Sequence, residues 1–204
     1  PGFAEPGFVM SGPRLNTPMN WNNLTRVTPS ATPVIDTETA INYVRASEDD
    51  EEMIAGLIEA ATAMIEGPNG IGTALITSGW KASFDALPSS LSIALTPVQS
   101  VDKITVLTET GTVEVDLDLI HVAGDQHPAQ IAFLTERPVA KRVPGSVTVE
   151  FKAGYGDTPD LVPADLRHAV LWMVAHMYEN RGDDAAASVF PPTVDRVRNR
   201  YRAF

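Results

Sequence analysis

Cysteine is missing from the chain. Disulfides and thiolate metal sites are therefore excluded, and a reducing compartment is permitted without being required. No apolar run approaches the length that crosses a bilayer, so no membrane partner is expected. The opening residues lack a charged segment followed by an apolar one, so no secretory leader is expected in them. Positive charge is scarce: 15 Lys and Arg face 26 Asp and Glu, for a net charge of −11. Such a balance argues against a surface built to coat nucleic acid, which would be basic.

Catalytic signatures are missing too. Gly67-Pro68-Asn69-Gly70-Ile71-Gly72 is rich in glycine, but no strand precedes it and no Gly-Lys-Ser/Thr follows, so it does not read as a phosphate loop. Ser78 in Thr77-Ser78-Gly79-Trp80 lacks the flanking glycines of a nucleophile elbow. His121 and His127 stand near Asp118 and Asp125 at a spacing that matches no metal motif. His176 sits in an apolar run two helical turns from His168, the setting of a core histidine with a hydrogen-bond partner. No catalytic residue is nominated, and neither metal nor cofactor is expected.

What the chain does have is most legible between Val143 and Gly182. Val147, Val149 and Phe151 alternate with Thr148, Glu150 and Lys152, the period of a half-buried strand. Gly154-Tyr155-Gly156 ends it. Pro163 suits a helix start, Asp165 puts negative charge at the helix's positive end, and Gly182 suits the stop. Ala169–Tyr178 is apolar except for His176. A helix apolar all round must be buried on more than one side. It is either a central core helix or an interface helix, with Val170, Met173, Val174 and Met177 as its buried residues.

Upstream, residues 1–33 carry six prolines and several glycines and read as an extended N-terminal arm. Asp36 can cap a first helix with Ile41 and Val44 on its inner side. Ser47 and Asp50 form a capping-box pattern for a second, whose stripe runs Met53, Ile54, Leu57, Ile58, Ala61, Met64 and Ile65. The acids Glu48–Glu52 favour the positive end of that helix. Strands are expected at Ala74–Ser83, Ser92–Leu95, Val101–Leu107, Thr112–Leu117, Ile131–Leu134 and Ser146–Lys152. Helices, then strands, then a helix indicate an α+β fold: a small helical bundle with a long C-terminal helix, plus an antiparallel sheet region and extended terminal arms. The folded domain spans 34–182, with helices over 36–66, strands over 73–153 and a helix over 163–181. A C-terminal arm covers 183–204. Its last twelve residues are +3 and the rest of the chain −14, so the arm calls for an acidic partner. Val194, Val197, Tyr201 and Phe204 would share a helical face, while alternating arginines suit a strand equally, so both conformations stay open.

Several patterns recur together in order. They are Val27–Val34 (V-T-P-S-A-T-P-V), Asp49–Ala61, Gly72–Trp80, Phe84–Pro88 (F-D-A-L-P), Leu95–Val101 (L-T-P-V-Q-S-V), and Val147–Gly182 with A-G-Y-G-D and Y-E-N-R-G. In this the chain resembles the head–tail connector (adaptor, or head-completion) proteins of tailed phages and gene transfer agents. The likeness covers Leu24–Gly182 and departs at Gly67–Gly70, where relatives more often carry a short T-G-R-type turn. The resemblance implies a structural, non-enzymatic protein of the virion or particle neck, assembled in the bacterial cytoplasm. It implies a homo-oligomeric ring of twelve copies beneath the portal protein at the capsid vertex. The next tail component, a stopper or tail terminator, would sit below, and DNA would pass through the channel without specific binding. An acidic channel wall would keep DNA from sticking. The alternatives are a tail-terminator or tail-completion ring and, from another class, an enzyme of unrecognised type. Portal binding is expected from the arm outside the likeness, through Arg196, Val197, Arg198, Arg200, Tyr201, Arg202 and Phe204. Pro191-Pro192 would project it from the body, and a chain cut after Pro192 would still fold.

Overall fold

The structure, a computed structural model, describes residues 23–67, 70–183 and 190–201. Among them, four α-helices and eight strands follow the order α1 (Thr37–Val44), α2 (Glu51–Glu66), then the strands, then α3 (Ala164–Glu179) and α4 (Pro192–Tyr201), with one strand ahead of α1. Asp36 caps α1 as its position suggests. Its carboxylate accepts from Thr39 N at 2.7 Å and Thr39 Oγ1 at 2.8 Å, and these bonds hold its pKa below the ordinary carboxylate value. Ser47 caps a short 3-10 turn, Glu48–Asp50, that leads into α2. Asp50 does not complete a capping box; its carboxylate accepts from Tyr178 Oη of α3 at 2.9 Å.

The strands are β1 (Leu24–Thr28), β2 (Ser78–Phe84), β3 (Ser90–Ile93), β4 (Val98–Thr108), β5 (Gly111–Glu114), β6 (Ile120–Ala123), β7 (Ala129–Phe133) and β8 (Val147–Ala153). They form a five-stranded sheet, β1-β2-β8-β4-β5, and a three-stranded sheet, β3-β7-β6. Every pairing is antiparallel. The α+β class therefore holds. Two departures from the expected elements matter for the architecture. Leu24–Thr28, inside the stretch read as an arm, is an edge strand paired with β2: it holds no proline and three β-branched residues, so the sheet can take it. Ala74–Thr77, read as strand, is instead a buried crossing segment.

That segment separates two cores. Ala74 belongs to the sheet core with Ile104, Val147, Val149 and Phe151. Leu75 and Ile76 belong to the helical core with Ile54, Ile58, Val170 and Met173. The end of β8 is stitched to the segment, since Tyr155 N donates to Leu75 O at 3.0 Å and Thr77 N donates to Gly156 O at 2.9 Å. Gly154 stands at that crossing with φ +142°, and a Cβ there would lie 2.5 Å from Thr77 N. Only glycine fits both constraints.

α3 packs against α1, α2 and α4. Val170, Met173 and Val174 are fully buried, and Met177 is half-buried against the same core. The neighbours this apolar helix requires come from its own chain, so it is a core helix. One of them is α4, which corrects the expectation of a projecting C-terminal arm. Val194 is buried, and Phe190, Val197 and Tyr201 pack on the helical core. Truncation after Pro192 would uncover that core instead of sparing it.

Candidate functional site

Two polar junctions fasten the ends of the described chain to its body. At the first, Glu66 closes α2 with its side chain 6% exposed. Its Oε1 accepts from Leu75 N at 2.7 Å, and its Oε2 forms a short ion pair with Arg26 of β1. The Arg26 guanidinium also lies 4.7 Å from the centre of the Trp80 ring, an arrangement a lysine would make less well. Burial pushes the Glu66 pKa up, against the opposing pull of Arg26 and the Leu75 N–H. Neither Glu66 nor Arg26 was singled out in the sequence. A signal was present: a glutamate at the negative end of a helix, directly after the stripe residue Ile65, needs a local partner.

At the second junction, Asp165 in the first turn of α3 accepts from Tyr201 Oη at 2.7 and 2.9 Å and from Arg200 at 3.3 Å. Asp165 was read only as a favourable charge at a helix start. Desolvation and the bond to Asp165 push the Tyr201 pKa up to about 12. Arg198 pairs with Asp195 at 3.0 Å and stacks over Phe190 at 4.8 Å. Arg196 and Arg200 are exposed. The outward side of α4 is therefore basic, while its apolar side is already engaged.

The histidines do not converge on a catalytic centre. His121 is exposed on β6, His127 Nδ1 meets Thr96 Oγ1 at 2.6 Å, and His168 lies 5.9 Å from the Trp172 ring. Asn180 Nδ2 donates to the His176 carbonyl at 2.8 Å. No group of three or more His, Asp or Glu fit to hold a metal occurs among the described residues. Nor is any helix among them long and apolar enough to cross a membrane.

A chain in the neck of an empty gene transfer agent (GTA) particle, computed with C6 symmetry, is similar to this one. The TM-score is 0.74 at 23% identity, covering 89% of this chain and 95% of that one. This chain has the fold of a gene-transfer-agent neck protein. A chain of the native GTA virion gives a TM-score of 0.73 at 24% identity, with 89% and 95% covered. A chain of the native GTA neck, computed with C12 symmetry, gives 0.63 at 25% identity, with 87% and 96% covered. No family model and no curated protein matches the chain. The neck-protein fold agrees with the resemblance carried by Leu24–Gly182 and extends beyond it, since 89% coverage exceeds that stretch.

On this neck-protein fold the residues expected to bind a portal fall into three sets. Arg196 and Arg200 are on the surface of α4. Val197, Arg198 and Tyr201 are partly buried and engaged with the body. Arg202 and Phe204 lie outside the described residues, as does most of the proline-rich arm.

Proposed function

We propose that the chain is a non-enzymatic head–tail adaptor of a particle neck. Copies of it form a ring, twelve in number, beneath the portal, and the ring extends the DNA channel toward the next tail component. The observation that carries this reading is the superposition over nearly the whole chain on chains of GTA particles, two of them from necks computed with C6 and C12 symmetry. A ring follows naturally from one repeated head-to-tail contact that closes on itself. The acidic run Glu48–Glu52, much of it exposed, suits a wall past which DNA slides without sticking.

Portal docking falls to the outward face of α4. Arg196 is the residue of choice because it is exposed, and guanidinium forks grip carboxylates with two bonds. Tyr201 acts differently from the free anchor expected of it: it holds α4 in place so that the arginines are presented from a fixed helix.

The test is an Arg196→Glu variant assayed with purified portal and with tail tube. The expected result is a folded protein with wild-type stability that binds portal at least about tenfold more weakly, since reversing a charge at an acidic interface adds repulsion to the lost attraction. Wild-type portal binding by this variant would remove α4 from the docking role. A wild-type chain that caps tail tube and ignores portal would make it a tail terminator.

A further inference from the structure

The five-stranded sheet has two dissimilar edges. β1 forms one of them, and 23 residues of sequence precede it. β5 forms the other, with all four of its residues exposed. Val115 N donates to Ile104 O at 2.9 Å, and the register pairs Val106 with Val113 and Leu107 with Thr112. Antiparallel pairs alternate between bonded and non-bonded. Gly111 and Val113 therefore turn their backbone groups toward β4, and Thr112 and Glu114 turn theirs outward. No described strand meets that outward row.

The same end of the sheet carries exposed apolar side chains. Among the described residues, exposed Leu107 and Val113 lie on β4 and β5, and exposed Val139 lies beside their turn. Val113 is 41% exposed and Val139 84%. Together with Ala140 they line a shallow groove beside the β4–β5 turn, flanked by Glu109 and Lys141. An edge that is both unpaired and apolar is a template for another strand.

We propose that this edge receives the N-terminal arm of a neighbouring copy, through the segment Gly7-Phe8-Val9-Met10-Ser11. That segment is the arm's proline-free apolar run, bounded by Pro6 and Pro13, and proline is what would forbid ladder bonds. Added to β5, it gives its backbone to Thr112 and Glu114. Phe8 and Met10, two residues apart, fall on one face beside Val113 and Val139. A neighbour is within range. The arm leaves from β1, about 19 Å across the sheet from β5 at ~4.8 Å per strand, and the twelve residues between Ser11 and Leu24 span about 40 Å when extended. A contact from one edge of a copy to the opposite edge of the next is head-to-tail, the kind that closes into rings. The inference rests on the ring proposed above and names its interface.

The experiment uses the full chain and two variants. Phe8→Asp/Met10→Asp disables the arm. Glu114→Pro disables the edge by removing an outward N–H that no strand in the fold uses, a place where an edge strand tolerates proline. Wild-type chain should assemble, and in the assembly the Thr112 and Glu114 amides should exchange at least about tenfold more slowly than in the arm variant. Each variant alone should sediment as a monomer. Mixed, they should form one-to-one dimers, because one good arm then meets one good edge. Rings formed by either variant alone would overturn the arm-to-edge contact while leaving the ring reading intact. A mixture that stays monomeric, beside assembling wild type, would overturn the contact between neighbours. Wild-type chain that stays monomeric even with purified portal would overturn both readings.

Discussion

Glu66 and Asp165 each hold a terminal element of the described chain, and they do so on opposite sides of the solvent boundary. Glu66 is 6% exposed and grips Arg26 of β1, whereas Asp165 is 31% exposed and receives Tyr201 and Arg200 of α4. The first junction sits where α2, β1, Trp80 and the crossing segment meet, so loosening it disturbs both cores. The second involves only α3 and α4. A buried ion pair gives little net stability, but it makes the loss of one partner costly. A half-exposed one is weak either way. β1 is thus built in, and α4 is latched on. The difference suits the docking role proposed for α4, which a firm body would present.

Removing the cation at the buried junction gives the largest expected effect. Arg26→Ala leaves Glu66 enclosed without a counter-charge and should cost about 3 kcal/mol of unfolding free energy, the low end for such a loss because Arg26 itself reaches solvent. Urea titration measures it. The pH dependence has a definite sign. Burial raises the folded-state pKa of Glu66 above its unfolded value, so the folded state holds the proton more tightly. Without Arg26 this holds more strongly, and the variant should regain stability relative to wild type as pH falls toward that raised pKa. Restoring neutrality with Arg26→Met/Glu66→Gln should recover most of the loss. A wild-type-like Arg26→Ala variant at neutral pH would show that β1 is as loosely held as α4.

Val194→Asp examines the other end. Val194 is buried between α4 and the helical core, and a charge there should release α4. The loss cannot exceed what docking of α4 supplies, about 2 kcal/mol for one buried aliphatic and its half-buried neighbours. Circular dichroism should show the helical signal of one short helix disappear while the sheet core melts as before. If the whole fold collapses, α4 is a structural part of the body and not a latch.

The contrast between the two ends also explains what could be read from sequence. Asp36, the Ile54–Ile65 stripe and the Val147–Ala153 alternation were legible because each is a local pattern with one physical solution. β1 was hidden because the prolines around it dominate the composition of residues 1–33, while its pairing with β2 is a contact across some fifty positions. β6 was missed because four residues holding His121 leave almost no alternation to see. In α4 the apolar face was visible, but its choice between body and partner depends on Asp165, a residue 36 positions away. The site fared worst for that reason: Glu66–Arg26 and Asp165–Tyr201 are both long-range pairs, and composition carries no trace of them.

The smallest effect, and the one that defines the latch, belongs to the Tyr201 hydroxyl. Tyr201→Phe keeps the ring on the core and removes only the bonds to Asp165, leaving Arg200 to satisfy part of that carboxylate. The expected loss is about 1 kcal/mol, the usual net worth of such a bond. Local hydrogen exchange in α4 should register it more clearly than global melting, because a latch opens below the free energy of full unfolding. Titration gives an independent check. Desolvation and the bond to Asp165 push the folded pKa of Tyr201 up to about 12, above the ordinary tyrosine value of 10.0, so the folded state retains a proton that the unfolded state has lost. Stability from this group is fully present below about pH 10 and is lost as pH rises toward 12. Tyrosinate absorbance should show Tyr201 titrating late in the wild type, together with Tyr155, whose burial also raises its pKa. In Val194→Asp, with α4 released, Tyr201 should move back toward 10. If it still titrates late there, Tyr201 and Asp165 remain joined without the apolar contact, and the hydroxyl, not the helix face, fastens the end of the chain.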